Sequence, residues 1–199
     1  MCGIAGLFRA KGELPEGSRA RLKNALASIA YRGPDAEGIV EKPGLMLGHR
    51  RLSILDLNER SNQPMPSRDG AALLTYNGEI YNFQSLRNEL EQAGRHFETT
   101  SDTEVILEGY QAWGIEGLLG RAAGMFAFAL YDRNRGVLIL ARDRAGKKPL
   151  YYCEQEGTLA FASEMRALLA LLPKKPQILG DGLEDLCDAV KAKGSGDRL

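Results

Sequence analysis

The chain has 199 residues, and its 26 Lys plus Arg balance 26 Asp plus Glu, so the formal net charge is zero. A phosphate-tracking nucleic-acid binder carries a basic excess, so that class is excluded; the basic stretch Arg142–Lys148 is itself interrupted by Asp143. With 44% hydrophobic and 26% charged residues, the composition is that of a globular domain large enough to bury its own core without staples.

Apolar runs such as Met125–Tyr131 fall far short of the ~20 residues that span a bilayer. The start, Met1-Cys2-Gly3, lacks the basic and apolar regions of a signal peptide, so a cytoplasmic protein with no membrane partner is expected. Cys2, Cys153 and Cys187 are far apart, no CxxC occurs, and the only histidines are His49 and His96. That spacing argues against a zinc site or a disulfide framework, and free thiols are expected.

In chain order, Ile4–Phe8 reads as a buried strand, and Leu22, Ala25, Leu26 and Ile29 give a helix from about Ser18 to Ala30. Leu45–Arg51 and Ala72–Asn77 read as strands. A helix from Asn82 to Ala93 stops at Gly94. Another begins at Ser101 or Asp102, where Ser101-x-x-Glu104 fits a capping box, and ends at Gly114. Met125–Tyr131 and Val137–Ala141 form a hairpin; the first strand does not alternate with polar residues, so its sheet is covered on both faces. Leu150–Cys153 and Thr158–Ala162 form a second hairpin, after which Ser163 caps a helix to about Leu171. Beyond the polar break at Pro173–Pro176, Leu183–Ala192 has the pattern of one short helix. A domain of residues 1–172 followed by a tail of 173–199 is expected.

Cys2 carries the most chemical information. A methionine before a small residue is normally trimmed, which would leave Cys2 at the N-terminus. A thiolate is the nucleophile, and a thiol near its free pKa needs a base. A terminal cysteine has one in its own α-amine, which titrates near ~7.7–8.0 and can return the proton to a leaving amine. The plain alternative is a small buried residue beside the start codon.

Further segments follow in order: Met1–Phe8, Arg32-Gly-Pro-Asp35, Leu47–Ser53, Asn77-Gly-Glu-Ile-Tyr-Asn82, Ser101–Ile106, Gly124–Asp132 and Arg142-Asp-Arg-x-Gly146. This series resembles the N-terminal glutaminase domain of glutamine-dependent asparagine synthetases, a class II glutamine amidotransferase and N-terminal-nucleophile hydrolase. The resemblance covers residues 2 to about 171. It implies an α+β fold, a four-layer αββα sandwich of two mostly antiparallel sheets between helix layers. It also implies hydrolysis of the glutamine side-chain amide to glutamate and ammonia through a Cys2 thioester.

The resemblance further implies a site. Arg51 would take the α-carboxylate of glutamine, as a guanidinium fork suits. Asp102 would take its α-ammonium, and Glu79 would contact glutamine. The Asn77 side chain and the Gly78 N–H would form the oxyanion hole. Leu52, Ser53, Ile54 and Leu55 would run along the substrate through backbone contacts. By themselves Arg51 reads equally as a surface arginine, Asp102 as a helix cap and Asn77-Gly78 as a tight hairpin turn. Arg32–Asp35 reads as a loop near the site and His49 as a supporting residue. Tyr31 stands where relatives carry His, and Ala145-Gly-Lys-Lys148 where they carry Leu-Gly-Ile-Lys, a change expected on a docking surface.

The pyrophosphate loop of the synthetase half is absent, and Gly146-Lys147 is no Walker loop. No cofactor or metal is therefore expected for the glutaminase half-reaction, with ATP and Mg belonging to a synthetase domain outside this sequence. The expected partners are L-glutamine and a synthetase domain or chain that receives ammonia, and the resemblance allows a homodimer. Two rival readings are a non-catalytic glutamine-binding or regulatory module and a truncated piece of a full asparagine synthetase.

Overall fold

The computed structural model describes residues 1–54, 56 and 58–174. Among these described residues, nine strands fall into two sheets. The five-stranded sheet is built from β1 (Gly3–Phe8), β2 (Ala36–Lys42), β3 (Leu45–Arg51), β8 (Tyr151–Gln155) and β9 (Thr158–Ala162), in the order β2-β3-β1-β9-β8. The four-stranded sheet contains β4 (Met65–Pro66), β5 (Ala72–Ile80), β6 (Gly124–Asp132) and β7 (Val137–Arg142), in sequence order. All the pairings are antiparallel.

The buried residues divide into three clusters that define four layers. Helices α1 (Ser18–Ser28) and α4 (Met165–Leu171) cover the five-stranded sheet, packing Leu22, Leu26 and Leu168 against Ala5, Leu7 and Ala160. Helices α2 (Phe83–Gln92) and α3 (Asp102–Arg121) cover the other sheet through Leu86, Leu90 and Ile106 against Tyr76, Phe126 and Phe128. Between the sheets lie Ile4, Leu45, Leu47, Leu73, Ala129 and Phe161. This is the expected αββα sandwich, and β6 is covered on both faces as its unbroken apolar run requires.

Several local expectations are corrected. Gly114 ends the first helical stretch of α3 as expected, at φ 68° and ψ 179°, but the chain only kinks there and an unexpected second helical stretch follows to Arg121. The capping box is half formed. Ser101 Oγ accepts from Thr103 N at 3.1 Å, but the buried Glu104 reaches past the cap, accepting from the N–H groups of Glu98 at 2.8 Å and Thr99 at 2.7 Å. Ser163 caps nothing; its Oγ accepts from Ile4 N at 2.9 Å and its own N–H donates to Ile4 O at 2.8 Å, tying the start of α4 to β1. Strand β2 was not legible as a strand, because its exposed outer position leaves little apolar pattern. The helix expected at Leu183–Ala192, together with Cys187, lies outside the described residues. Among the described residues no helix is long and apolar enough to cross a membrane.

Candidate active site

The site forms where β1 begins, β3 ends and β5 passes beneath the start of α3. Cys2 stands one residue before β1. Its carbonyl accepts from Arg32 Nε at 2.9 Å, and Arg32 is itself held by Glu164 at 2.9 Å. Glu164 also accepts from the Tyr31 hydroxyl and lies 3.0 Å from Arg166 Nε. The Arg32–Asp35 loop thus braces the backbone of Cys2, and its Asp35 carboxylate accepts from Ser53 N at 2.7 Å.

The Cys2 thiol lies against the end of β3. Leu52 N–H donates to Sγ at 3.4 Å, and Sγ is 3.7 Å from Leu52 O, within donating range. Burial pushes the thiol pKa up, against the opposing pull of the Leu52 N–H, the terminal ammonium and Arg51. A raised thiol pKa means a protonated sulfur at neutral pH, so nucleophilic use of Cys2 requires a base. Met1 occupies the cleft beside it, its Sδ 3.1 Å from Lys148 Nζ. While Met1 is attached, the Cys2 nitrogen is an amide and has no basicity to offer.

Asn77 and Gly78 sit inside β5, opposite Ala127 and Phe126, so the hairpin-turn reading is excluded. Gly78 is required by packing: a Cβ there would stand 2.4 Å from Met125 O. The Asn77 side chain is only 1% exposed, and its Nδ2 has no partner among the described residues. Buried donors are nearly always satisfied, and leaving one unmade is costly. An unpaired donor lining a cleft therefore suits an acceptor that arrives with a ligand.

Arg51 is 6% exposed, which excludes the surface reading. Its guanidinium donates to Asn58 O at 3.0 Å, to Asn62 Oδ1 at 2.8 Å and to Asp56 O, so it organises the loop that closes over it. Asp102 is the first residue of α3, with Ser101 as the cap, so the cap reading also fails. It is 5% exposed; its Oδ2 accepts from the Tyr76 hydroxyl at 2.7 Å and from Ile80 N at 3.0 Å. Burial pushes its carboxyl pKa up, and those two donors pull it back down.

Cys2, Arg51, Leu52, Ile54, Asn77, Gly78, Glu79 and Asp102 all line one cleft of about 190 Å³. Ser53 is beside it but not on its wall, and Leu55 lies outside the described residues. Ile54 is 74% exposed, at the cleft's rim. The wall also holds residues that motif reading missed, among them Gln63, Tyr76, Met125 and Lys148. Lys148 is only 5% exposed, and nothing in its basic local sequence signals burial. Strand alternation aims Tyr76 away from the face of Asn77, so its reach to Asp102 depends on where α3 packs. Among the described residues no group of three or more His, Cys, Asp or Glu could hold a metal ion.

A family model described as a glutamine amidotransferase domain matches residues 1–195. The chain is 36% identical over 188 residues to glutamine-hydrolyzing asparagine synthetase 3 of Bacillus subtilis, covering 94% of this chain and 30% of that protein. It is 42% identical over 170 residues to glutamine-hydrolyzing asparagine synthetase B of Escherichia coli, covering 85% of this chain and 30% of that one. The chain thus spans about 30% of the length of these curated relatives. A solved structure of glutamine phosphoribosylpyrophosphate amidotransferase from B. subtilis shares the fold, with a TM-score of 0.71 and 23% identity over 85% of this chain and 43% of that one. With the cleft and the four layers in place, these matches assign the chain to the glutamine amidotransferase domain family, as a class II domain homologous to the glutaminase half of asparagine synthetases.

Proposed function

We propose that the chain hydrolyses L-glutamine to glutamate and ammonia through a thioester on Cys2. The observation that carries this reading is the meeting, in one cleft, of the Cys2 thiol, the unpaired Asn77 amide and two buried groups of opposite charge, Arg51 and Asp102. Glutamine is a zwitterion with a neutral amide, and each of its three ends finds a complementary group here.

Removal of Met1 frees the Cys2 α-amine. The amine takes the thiol proton, and Sγ attacks the amide carbon. The carbonyl oxygen becomes an oxyanion, which Asn77 Nδ2 and the Gly78 N–H stabilise. As the intermediate collapses, the α-ammonium returns its proton to the leaving nitrogen and ammonia departs. Water, deprotonated by the same amine, then attacks the thioester carbon; the C–S bond breaks, releasing glutamate and the thiol. Arg51 holds the substrate α-carboxylate, with Leu52 to Ile54 beside it, and Asp102 with Glu79 holds the α-ammonium. No cofactor takes part in these steps. The ammonia passes to a synthetase domain or partner that amidates an ATP-activated carboxylate, the role the asparagine synthetase relatives suggest.

The test is glutamate release from glutamine by the purified chain, with intact-mass measurement of Met1. Turnover by the trimmed chain, abolished in Cys2→Ala and absent from any Met1-bearing fraction, is the expected result. Glutamine binding without turnover in the trimmed chain would favour a sensing module. Full activity with Met1 retained would sink the N-terminal amine as the base.

A further inference from the structure

We infer that Tyr76 is a positioning residue for substrate recognition, its hydroxyl fixing the Asp102 carboxylate in the orientation that receives the substrate α-ammonium. The inference rests on the reading of Asp102 given above and adds the group that controls it.

Tyr76 is buried and held at three points. Its N–H donates to Gln63 Oε1 at 2.6 Å, its carbonyl is 3.0 Å from His49 Nε2, and its hydroxyl donates to Asp102 Oδ2 at 2.7 Å. Gln63 is anchored in turn, donating from Nε2 to Thr103 Oγ1 at 3.2 Å, next to Asp102 itself. Tyr76 and Asp102 are therefore tied by two routes, one through the hydroxyl and one through Gln63 and Thr103. The ring packs in the core between β5 and the α2–α3 layer, which leaves the hydroxyl little freedom.

The hydroxyl stays a donor throughout the physiological range, because burial and the adjacent carboxylate push its own pKa well up. Tyr76 Oη and Ile80 N donate to the same Asp102 oxygen, Oδ2. That arrangement locks the carboxylate rotation and leaves Oδ1 as the oxygen for an incoming ammonium. A charge-assisted bond of this kind is stronger than a neutral one. The other charged or titratable groups on the cleft are Glu79 from β5, Cys2 before β1, Arg51 at the end of β3, Lys148 after β7 and the N-terminal ammonium on Met1. Burial pushes the Asp102 pKa up and Glu79 adds to it, while the Tyr76 hydroxyl, ahead of the Ile80 N–H, favours the ionised carboxylate.

The test compares L-glutamine with glutaramate, which lacks the α-amino group. Binding is measured by calorimetry in the full chain carrying Cys2→Ala, with and without Tyr76→Phe, a substitution that keeps the buried ring. Tyr76→Phe should reduce the preference for glutamine over glutaramate by about tenfold, the scale of one hydrogen bond to a charged group. In the Cys2 chain, Tyr76→Phe should raise KM with kcat within about twofold and move the acid limb of kcat/KM to higher pH, since losing a donor to the carboxylate raises its pKa. Adding Tyr76→Phe to Asp102→Asn should change the preference no further. Equal weakening of both ligands, or an unchanged preference, overturns the inference while leaving the glutaminase reading intact. A parent chain that binds glutaramate as well as glutamine overturns the Asp102 assignment and the inference with it.

Discussion

Asn77 is a buried amide on the cleft wall whose Nδ2 has no partner among the described residues. A fold-only explanation has no use for such a group, whereas an oxyanion needs it. Asn77→Ala should lower kcat for glutamine hydrolysis by about 10²–10³-fold with KM changed only a few-fold, measured by steady-state glutamate release. The dipeptide Asn77-Gly78 was visible as a candidate from sequence, but with two meanings. Only its position inside β5, paired with Ala127 and Phe126, removed the turn. Tyr76 had no such visibility, because its role depends on Asp102 lying 2.7 Å from its hydroxyl across 26 residues of chain.

Glycines in α3 separate two effects at the scale of an element. Gly114 has φ 68° and ψ 179°, a region essentially confined to glycine, so Gly114→Ala should lower the unfolding free energy by about 1–3 kcal/mol in urea denaturation. Gly120 is helical with nothing within 4 Å of an added Cβ, so Gly120→Ala should raise it by about 0.5–1 kcal/mol. The sequence signalled a break at Gly114 correctly, since glycine is the usual residue where a helix stops. It could not show that the chain would resume a helix, because that depends on Leu118 finding the core of the four-stranded sheet. The half-formed capping box has a local cause: Glu104 takes the N–H groups of Glu98 and Thr99, just upstream of the Ser101 cap, in place of the cap's own N–H.

Across the whole molecule, the two sheets are joined by more than apolar contact. His49 Nε2 on β3 lies 3.0 Å from Tyr76 O on β5, and Thr75 Oγ1 donates to Gly48 O at 3.2 Å. A carbonyl only accepts, so His49 is a donor at Nε2 in its neutral form. Burial lowers its pKa from 6.5 to about 4. The unfolded chain then takes up a proton on this residue below pH 6.5 while the folded chain does not, until pH falls to about 4. Its contribution is thus fully present above pH 6.5 and lost between there and pH 4, a total of about 3 kcal/mol. Urea denaturation at stepped pH should show that decline, and His49→Gln should flatten it. The inter-sheet core makes an independent prediction. Phe161 is fully buried between the sheets, and Phe161→Ala should cost about 3–5 kcal/mol by the same measurement, a large share of a domain's total stability.

The sequence alone determined most of the element types, the doubly covered β6 and the family, because these follow from local periodicity and from motifs that are contiguous in the chain. It also named Cys2, Arg51, Asn77, Glu79 and Asp102 of the cleft one by one. Tertiary structure decided which of them meet. Cys2, Arg51, Asn77 and Asp102 come from four different segments, and they converge only because β1, β3, β5 and α3 stack across the sandwich. The supporting bonds, Arg32 to Cys2 O and Tyr76 to Asp102, were illegible for the same physical reason. A hydrogen bond is set by distance and direction in space, and separation along the chain says nothing about either.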